Sequence, residues 1–405
     1  MQSINQRILE ATYIIDAVRT PVGKYGGVLS SIRPDDLLAI TIKGLLERNA
    51  DIDINCIDGV IAGDGNQAGE DCRNVARMAA ILAGLPFSVT GNTVNSLCGS
   101  GMQAVIDASR AIACGDGQLY ISAGVESMSR APMVMHKDVY AGEKKEIIDS
   151  TIGWRFTNSD LLNYINPNSM GQTAEIIAKK YGVSRVEQDE FALYSHKKYF
   201  AALAAGKWNN EIIKVPVKTG ETINFIDTDE PPRQLTIEQL ARLKPIFDTS
   251  LNGTVTAGNS SGINDGAAAL LLANESMVKT FDLKPKARIV ATEIVGVYPD
   301  EMGIGGVKAV NRLLKKTGLS VADIDLWEMN ESFSATSIVA DNLLGLDASK
   351  VNINGGSLAI GHAVGSTGAR IITTLLHELS SSNKKRGIAS IGVGLGLGMA
   401  VMIER

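Results

Sequence analysis

Apolar runs rich in β-branched residues alternate along the chain with segments of helical periodicity. The runs predict strands at 13–18, 58–64, 118–124, 269–274, 287–297 and 324–329, with two more between 387 and 404. Apolar residues at helical spacing predict helices at 35–49, 100–115, 307–318 and 366–382. This alternation predicts an α/β fold in which helices cover both faces of the sheets.

A weak internal repeat divides the pattern into two related halves. Each half has a helix, an apolar-x-x-Ile-Asp segment ending at Asp58 or Asp325, and a strand. Each then has a strand, a turn of small residues and an apolar helix, at 94–113 and 351–379. We therefore expect two α/β halves, 1–130 with 253–283, and 284–405. Segment 131–252, richer in Lys, Asn, Pro and aromatic residues, is expected to be an insertion over one half.

Composition narrows the class of protein. The 405 residues are 45% hydrophobic and 20% charged, which is typical of a folded globular protein. The net charge of −5 disfavours a nucleic-acid partner, whose phosphates require a basic excess. No apolar run approaches the ~18 residues of a membrane span. The N-terminus shows no secretory signal, so we expect a cytoplasmic protein with no membrane partner.

Four cysteines and four histidines restrict the candidate chemistry. Cys56, Cys72, Cys98 and Cys114 form no C-x-x-C pair and have no histidine at zinc-site spacing, so neither disulfides nor a metal site is expected. Cys98 precedes a helix and is followed by Gly99-Ser100-Gly101. A helix start lowers a thiol's pKa, and glycines let a substrate approach closely, so Cys98 is the candidate nucleophile. A structural role for Cys98 remains open from spacing alone.

His362 has the local context that best suits a partner for Cys98. It lies in the glycine-rich turn 354–365 before a helix, in the other half of the repeat. A nearby histidine is a general device for activating a thiol. Asn330 begins Asn330-Glu331-Ser332-Phe333, directly after the strand at 324–329, where α/β sheets bind ligands. A helix cap explains that segment equally well.

The segment 256–266 is rich in small polar residues, which suit contact with a narrow polar ligand. Its stretch 258–262 also matches the G-x-S-x-G elbow of serine hydrolases around Ser260. The strand and helix that should flank such an elbow are missing from the pattern. The match is therefore interpreted as chance.

At Cys98, Asn330 and His362 the sequence resembles the thiolase family, and the resemblance covers nearly the whole chain. Val94-Asn95-Ser96-Leu97-Cys98-Gly99-Ser100-Gly101 is similar to the nucleophile motif of the family. Asn330-Glu331-Ser332-Phe333 resembles its Asn-Glu-Ala-Phe motif, and Gly361-His362-Ala363 its Gly-His-Pro motif. The stretches 16–21, 124–129 and 256–266 also resemble stretches of the thiolase family, and they occur in the family's order. Segments 66–77 and 151–156 look most like 3-oxoadipyl-CoA thiolases.

The resemblance implies a thiolase fold, with two related five-stranded α/β halves and an inserted loop domain over the coenzyme A (CoA) site. It implies acyl transfer through an acyl-Cys98 intermediate, with His362 taking the thiol proton. Asn330 would hold a water that stabilises an oxyanion, and the backbone N–H groups of Cys98 and Gly394 would form a second oxyanion hole. CoA and acyl-CoA are the implied substrates, with no permanently bound cofactor. A homodimer or homotetramer is also implied. The implied CoA-lining residues are Ser261, Met170, Phe247, Met302 and Phe333.

The C-terminal glycine run departs from the family. Thiolases carry a cysteine there as acid and base, in Cys-x-Gly-x-Gly-x-Gly. A gapless match from His362 puts Gly392 at that position, and a two-residue shift puts Ser390 there. General acid–base help is typically worth ~10²–10⁴-fold, so we expect impaired acyl transfer. The alternative is a degenerate thiolase-like protein that binds acyl-CoA or slowly hydrolyses thioesters.

Overall fold

The computed structural model describes residues 9–137, 146–250 and 252–405. Its strands are β1 Tyr13–Arg19, β2 Gly23–Lys24, β3 Gly59–Gly63, β4 Thr90–Val94, β5 Leu119–Ser127, β6 Met133–Met135, β7 Ile147–Asp149, β8 Val215–Thr219, β9 Thr222–Ile226, β10 Asn264–Ala273, β11 Ala287–Gly296, β12 Leu326–Met329, β13 Arg386–Val393 and β14 Leu397–Glu404. Its helices are α1 Pro34–Glu47, α2 Val75–Leu82, α3 Ser100–Cys114, α4 Met170–Tyr181, α5 Arg185–Ala204, α6 Ile237–Ala241, α7 Glu275–Thr280, α8 Gly305–Thr317, α9 Ser334–Leu344, α10 Ser357–Ile360 and α11 Val364–Ser381.

Ten of these strands form one mixed sheet, in the order β12-β13-β14-β11-β1-β10-β5-β3-β4, with β2 beside β10. The two halves join where β1 pairs with β11 over only two residues, Tyr13 and Ile14. The N-terminal half has the five expected strands β1, β3, β4, β5 and β10. In the C-terminal half four strands form, and Val351 makes a single bridge to Trp327 at the edge where a fifth would lie.

Three apolar clusters arrange the helices in layers. Helices α1 and α2 cover the outer face of the N-terminal half, and α8 and α9 cover that of the C-terminal half. Helices α3 and α11 fill the centre, where their apolar residues pack against strands of both halves. Nearly all of α11 is buried, including its polar residues Thr367, Arg370 and Glu378. The prediction of helices on both faces of the sheet is confirmed.

The two central helices touch at glycines. A Cβ atom at Gly101 of α3 would lie 2.8 Å from the carbonyl oxygen of Gly365, and one at Gly368 of α11 would overlap with the backbone nitrogen of Met102. Larger residues would force the helix axes apart, because packed interiors do not yield such space. The contact therefore fixes the relative position of the N-termini of α3 and α11.

The inserted segment contacts both halves, whereas the sequence predicted that it would lie over only one of them. Its helices α4 and α5 begin at capping boxes, Ser169 with Gln172 and Ser184 with Glu187, and they pack on α9 and α10. Its strand β8 buries Val215 and Val217 in the cluster of the N-terminal half. The division at 130, 252 and 283 stays a prediction.

A buried ion cluster anchors the insertion to the sheet. Arg19, at the end of β1, is fully buried and bonds Asp229 through two nitrogens, at 2.6 and 2.9 Å. Its Nε donates to Glu211 at 2.5 Å. Removing one partner from such a buried group leaves an uncompensated charge, which typically costs ~3–5 kcal/mol. The cluster thus holds the chain on both sides of β8 and β9 against β1.

In the part of the chain that the structure describes, no helix has the length and apolar character needed to cross a bilayer.

Candidate active site

Three parallel neighbouring strands bring polar residues to one edge of the sheet. β3 pairs in parallel with β4 on one side and with β5 on the other. Asp64 follows β3, Cys98 lies four residues after β4, and Glu126 is near the end of β5. Because carboxyl ends of parallel strands meet at the same edge, these side chains gather there, as ligand sites of α/β sheets do.

Cys98 lies in a constrained turn between β4 and α3. The preceding Leu97 has φ +49°, a left-handed conformation that costs a non-glycine residue about 1–2 kcal/mol. Its N–H donates to Oδ1 of Asn95 at 2.9 Å, which stabilises the turn. Strain of this kind is typical of functional sites.

The Cys98 thiol is protonated at neutral pH, contrary to the expectation from its place before a helix. Burial raises the pKa of this thiol to about 11. The N–H groups of Gly394 and of Cys98 itself point to the sulfur and lower the pKa, but burial outweighs them. The sulfur therefore needs a base to become a nucleophile. Those two N–H groups are the pair required for the implied oxyanion hole.

His362 has the form that such a base requires. Its Nδ1 lies 2.7 Å from Oγ1 of Thr367, whose hydroxyl already donates to the carbonyl of Ala363 at 2.8 Å. Nδ1 must then carry the hydrogen, which leaves the lone pair on Nε2. Nε2 is buried and has no hydrogen-bond partner among the described residues. Burial, helped by the Arg370 charge, lowers the pKa of His362 to about 4, so the ring is neutral at rest.

Asn330 lies directly after β12 and is held by two serines. Its Oδ1 accepts from the hydroxyl of Ser357 at 2.6 Å, and its Nδ2 donates to Oγ of Ser332 at 2.9 Å. The amide is therefore oriented by the protein itself. The helix α9 begins only at Ser334, and its N-cap is Phe333 rather than Asn330, so the alternative of an Asn330 cap is wrong.

The two candidate positions in the glycine run, 392 and 390, place no acid–base side chain at the site. A Cβ atom at Gly392 would overlap with the carbonyl oxygen of Met302, so this position has no room for one as folded. Ser390, in the shifted match, is fully buried, and its hydroxyl donates to the carbonyl of Met399 at 2.9 Å. Neither residue offers a base. The N–H of Gly394 beside Cys98 agrees with the gapless match.

The five residues expected to line the CoA site lie in neighbouring positions. The rings of Phe247 and Phe333 meet edge to face at 6.0 Å. Met170 lies near Gly394, since its sulfur is 3.6 Å from the point that a Cβ would take there. The backbone of Ser261 bonds that of Ser332 at 2.9 Å, and Met302 covers Gly392.

Ser260 does not form a hydrolase elbow. Its hydroxyl donates to the carbonyl of Thr256 at 2.7 Å, and its backbone bridges to Phe333 in an irregular segment before β10. The interpretation of the motif as a chance match agrees with this geometry.

A buried carboxylate cluster behind Cys98 was not found from the sequence. One oxygen each from Asp64, Asp71 and Glu126 lies within 4.8 Å of the others, and all three side chains are buried. Burial raises the pKa of Glu126 to about 7, and burial with the charge of Glu126 raises that of Asp64 well above its usual value. Oε2 of Glu126 accepts from the N–H groups of Gly65 and Gly365, which holds the start of α11.

Sequence reasoning also missed the residues whose hydrogen bonds orient His362 and Asn330. Thr367, Ser357 and Arg370 carry no motif of their own. One signal was available: Thr367 lies in the first turn of the helix after His362, on the side that can reach back to it.

Comparisons with known proteins agree with this geometry. A model described as "Thiolase, N-terminal domain" matches residues 12–276, and one described as "Thiolase, C-terminal domain" matches residues 283–405. A "Beta-ketoadipyl-CoA thiolase" of Pseudomonas aeruginosa is 48% identical over 400 residues, which is 97% of this chain and 98% of the relative. The "3-oxoadipyl-CoA/3-oxo-5,6-dehydrosuberyl-CoA thiolase" of Escherichia coli is 48% identical over 402 residues, which is 98% of this chain and 100% of the relative.

Solved structures show the same fold. The Bacillus anthracis acetyl-CoA acetyltransferase has a TM-score of 0.92 at 37% identity, and the match covers 98% of this chain and 100% of that one. The human mitochondrial 3-ketoacyl-CoA thiolase in complex with CoA has a TM-score of 0.90 at 36% identity, and the match covers 98% of each chain.

The carboxylate cluster makes stability depend on pH. A carboxyl whose pKa is raised in the folded state keeps a proton that the unfolded chain has lost, so stability falls as pH rises from about 4 through about 7. Asp64→Asn removes one of three like charges. We expect this substitution to raise the free energy of unfolding more at pH 8 than at pH 5, by on the order of 1 kcal/mol for each unit by which the pKa had been raised. The melting temperature should therefore rise more at pH 8. Thermal melts of both proteins at the two pH values measure this.

The exposed Asp51→Asn serves as the control and should change neither value. Equal effects of Asp64→Asn at pH 5 and pH 8 would show that the cluster is not charged at pH 8.

Proposed function

Because the chain belongs to the thiolase family of acyl-CoA acyltransferases, we propose that it cleaves 3-oxoadipyl-CoA with CoA, through an acyl-Cys98 intermediate. The observation that carries this proposal is the convergence of two N–H groups on a buried Cys98 thiol, with a neutral His362 whose Nε2 has no hydrogen-bond partner within the described ranges. The relatives named as 3-oxoadipyl-CoA and β-ketoadipyl-CoA thiolases, which match over their full length, support the substrate.

In the first half-reaction, Nε2 of His362 takes the thiol proton and the sulfur of Cys98 attacks C3 of the substrate. The N–H groups of Cys98 and Gly394 stabilise the oxyanion. Collapse breaks the C2–C3 bond, and the electron pair goes to C2 of the departing thioester. A proton completes acetyl-CoA and leaves succinyl-Cys98. In the second half-reaction the CoA thiol loses its proton and attacks the acyl group, which yields succinyl-CoA and frees Cys98.

His362 closes the proton balance of both half-reactions. The proton it takes from Cys98 is the one that C2 requires, and the proton it then takes from CoA is the one that Cys98 regains. Gly392 takes no part, because it has no side chain. We propose that this single-base cycle runs more slowly than one with a second acid–base group. Slow thioester hydrolysis would follow if water replaced CoA at the acyl group.

A pair of variants at Gly392 tests this proposal. Gly392→Ala and Gly392→Cys both place a Cβ against the Met302 carbonyl, so each should cost about 1–3 kcal/mol of stability. Only the cysteine adds an acid–base group, and we expect it to exceed the alanine variant in kcat by about 10²-fold or more. Steady-state thiolysis with denaturant melts measures both effects. Equal kcat values would mean that position 392 is not where a base acts.

Arg155 is our candidate for recognition of the distal carboxylate. Its guanidinium is half-buried, donates to the carbonyls of Ser150 and Asn66 at 2.6 and 2.9 Å, and pairs with no carboxylate within the described ranges. Asn66 follows Gly65, whose carbonyl accepts from Asn95 in the Cys98 turn at 2.9 Å. The loop that contains Gly65 and Asn66 thus contacts both the Arg155 guanidinium and the turn that carries Cys98.

Arg155→Met should lower kcat/KM for 3-oxoadipyl-CoA about 10- to 100-fold, the value of one charged hydrogen bond of about 1.5–3 kcal/mol. Acetoacetyl-CoA has no distal carboxylate, so its kcat/KM should stay within about threefold. Arg155→Lys keeps the charge and should lose less. An equal loss on both substrates would assign Arg155 to the loop structure instead of the substrate.

We also propose a homo-oligomer that uses the edge of the sheet. β4 ends the strand order and so leaves one edge unpaired, and the nearby Phe87 is 81% exposed. Unpaired strand edges readily join another chain. A cytoplasmic location, the lack of a bound cofactor, and the lack of nucleic-acid and membrane partners stay predictions.

Light scattering after size exclusion should give at least twice the 43.0 kDa mass of the chain. It also distinguishes a dimer from a tetramer. Phe87→Asp should weaken the assembly, whereas Phe225→Asp, at another exposed phenylalanine, should not. A monomer for the unchanged protein would reject the proposal.

A further inference from the structure

A chain of hydrogen bonds runs from a buried arginine to the rim of the active site. Nη2 of Arg370, which is 2% exposed, donates to Oγ of Ser357 at 2.7 Å. Ser357 donates to Oδ1 of Asn330 at 2.6 Å, and Nδ2 of Asn330 donates to Oγ of Ser332 at 2.9 Å. Four residues from α11, α10 and the segment after β12 thus form one connected line.

The recorded direction of each bond in this line agrees with the chemistry of its members. A guanidinium has only donors, so the Ser357 oxygen accepts from Arg370, and the Ser357 hydroxyl donates to Oδ1 of Asn330. Asn330 accordingly presents its carbonyl to Ser357 and its NH₂ to Ser332. The Ser332 oxygen therefore accepts, and its own hydroxyl hydrogen has no acceptor among the residues that the structure describes.

Ser332 and His362 contact the same segment of the chain. The carbonyl of Ser332 accepts from the N–H of Ser261, and His362 bridges to Ile263 on the same segment. Ser261 and Ile263 are two residues apart, which spans about 6.6 Å in extended chain. The backbones of Ser332 and His362 are therefore held at neighbouring points of this segment. Ser332 is only partly buried, so a ligand can reach it.

We propose that Ser332 is a catalytic residue that donates its hydroxyl hydrogen to the thioester oxygen of the departing acetyl-CoA unit. Nε2–H of His362, present once the ring has taken the thiol proton, donates to the same oxygen. Negative charge develops there when the C2–C3 bond breaks, and two oriented donors stabilise it. The thiolase motif has alanine where this chain has Ser332, so the hydroxyl is a feature of this chain. The inference rests on the proposed roles of Cys98 and His362.

The two oxyanion sites serve different steps, which gives a selective test. Succinyl exchange between succinyl-CoA and labelled CoA runs through succinyl-Cys98 and uses only the N–H groups of Cys98 and Gly394. Cleavage of the C2–C3 bond also needs the thioester oxygen site. Ser332→Ala should therefore lower kcat for thiolysis of 3-oxoadipyl-CoA about 10²-fold, with the KM for CoA within about threefold, and should leave succinyl exchange unchanged.

Two further variants separate catalysis from structure. Ser334, two residues away, has a buried hydroxyl with no hydrogen-bond partner in the described part of the chain. Ser334→Ala should therefore match the unchanged protein in both assays. Ser357→Ala frees the Asn330 amide to turn, so the hydroxyl of Ser332 can bond to its carbonyl and is lost to the ligand. It should reproduce the loss of Ser332→Ala, and the double variant should lose no more than either single one.

A thiolysis rate for Ser332→Ala within threefold of the unchanged protein would overturn the inference, and so would losses that multiply in the double variant. Loss of exchange together with thiolysis would show a structural effect and would also reject it. The absence of exchange in the unchanged protein would instead reject the proposed role of Cys98.

Discussion

The close contact of α3 with α11 is the constraint on which the site depends. Each helix follows the turn that carries one reactive residue, Cys98 before α3 and His362 before α11. The glycines at 101 and 368 let the backbones approach to a distance that any side chain would prevent. The repeat explains why this works: each half contributes one strand, one turn and one central helix, and the two helices meet at the seam. A nucleophile and its base from distant parts of the chain thus occupy one edge of the sheet.

Burial of this seam determines the resting charges of the site. It raises the pKa of Cys98 to about 11 and lowers that of His362 to about 4, so both are neutral before substrate binds. Neutral groups cost little to bury, whereas an ion pair here would lose most of its hydration. Free energy is instead required during the reaction, when the thiolate, the imidazolium and two oxyanions appear in turn as buried charges. Fixed donors that already point to those places supply the stabilisation.

Much of this could be predicted from the sequence, because it follows from local pattern. The four helices expected at 35–49, 100–115, 307–318 and 366–382 correspond to α1, α3, α8 and α11 within two residues at every end. Cys98, His362 and Asn330 were identifiable because each follows a strand or precedes a helix in a short motif. The orientation of their side chains could not be predicted. It depends on contacts such as Arg370 with Ser357 and Glu126 with Gly365, which join distant segments and leave no periodic signal. The pKa of Cys98 was predicted in the wrong direction because the helix start is a local feature and the depth of burial is not.

The glycine at position 392 shows which parts of the chemistry this fold retains without a second acid–base residue. The backbone donors at Cys98 and Gly394 do not depend on side chains of the glycine run, and the line from Arg370 to Ser332 contains no residue of that run. Charge stabilisation by oriented donors is therefore intact, while proton transfer falls to His362 alone. Preorganised donors usually contribute more to such reactions than a single acid–base group. Because His362 gains and then loses one proton in each half-reaction, a single base suffices for the balance of protons, although each transfer must wait for the one before it. Chemistry that needs only the acyl-enzyme should consequently be faster in this chain than chemistry that makes or breaks the carbon–carbon bond.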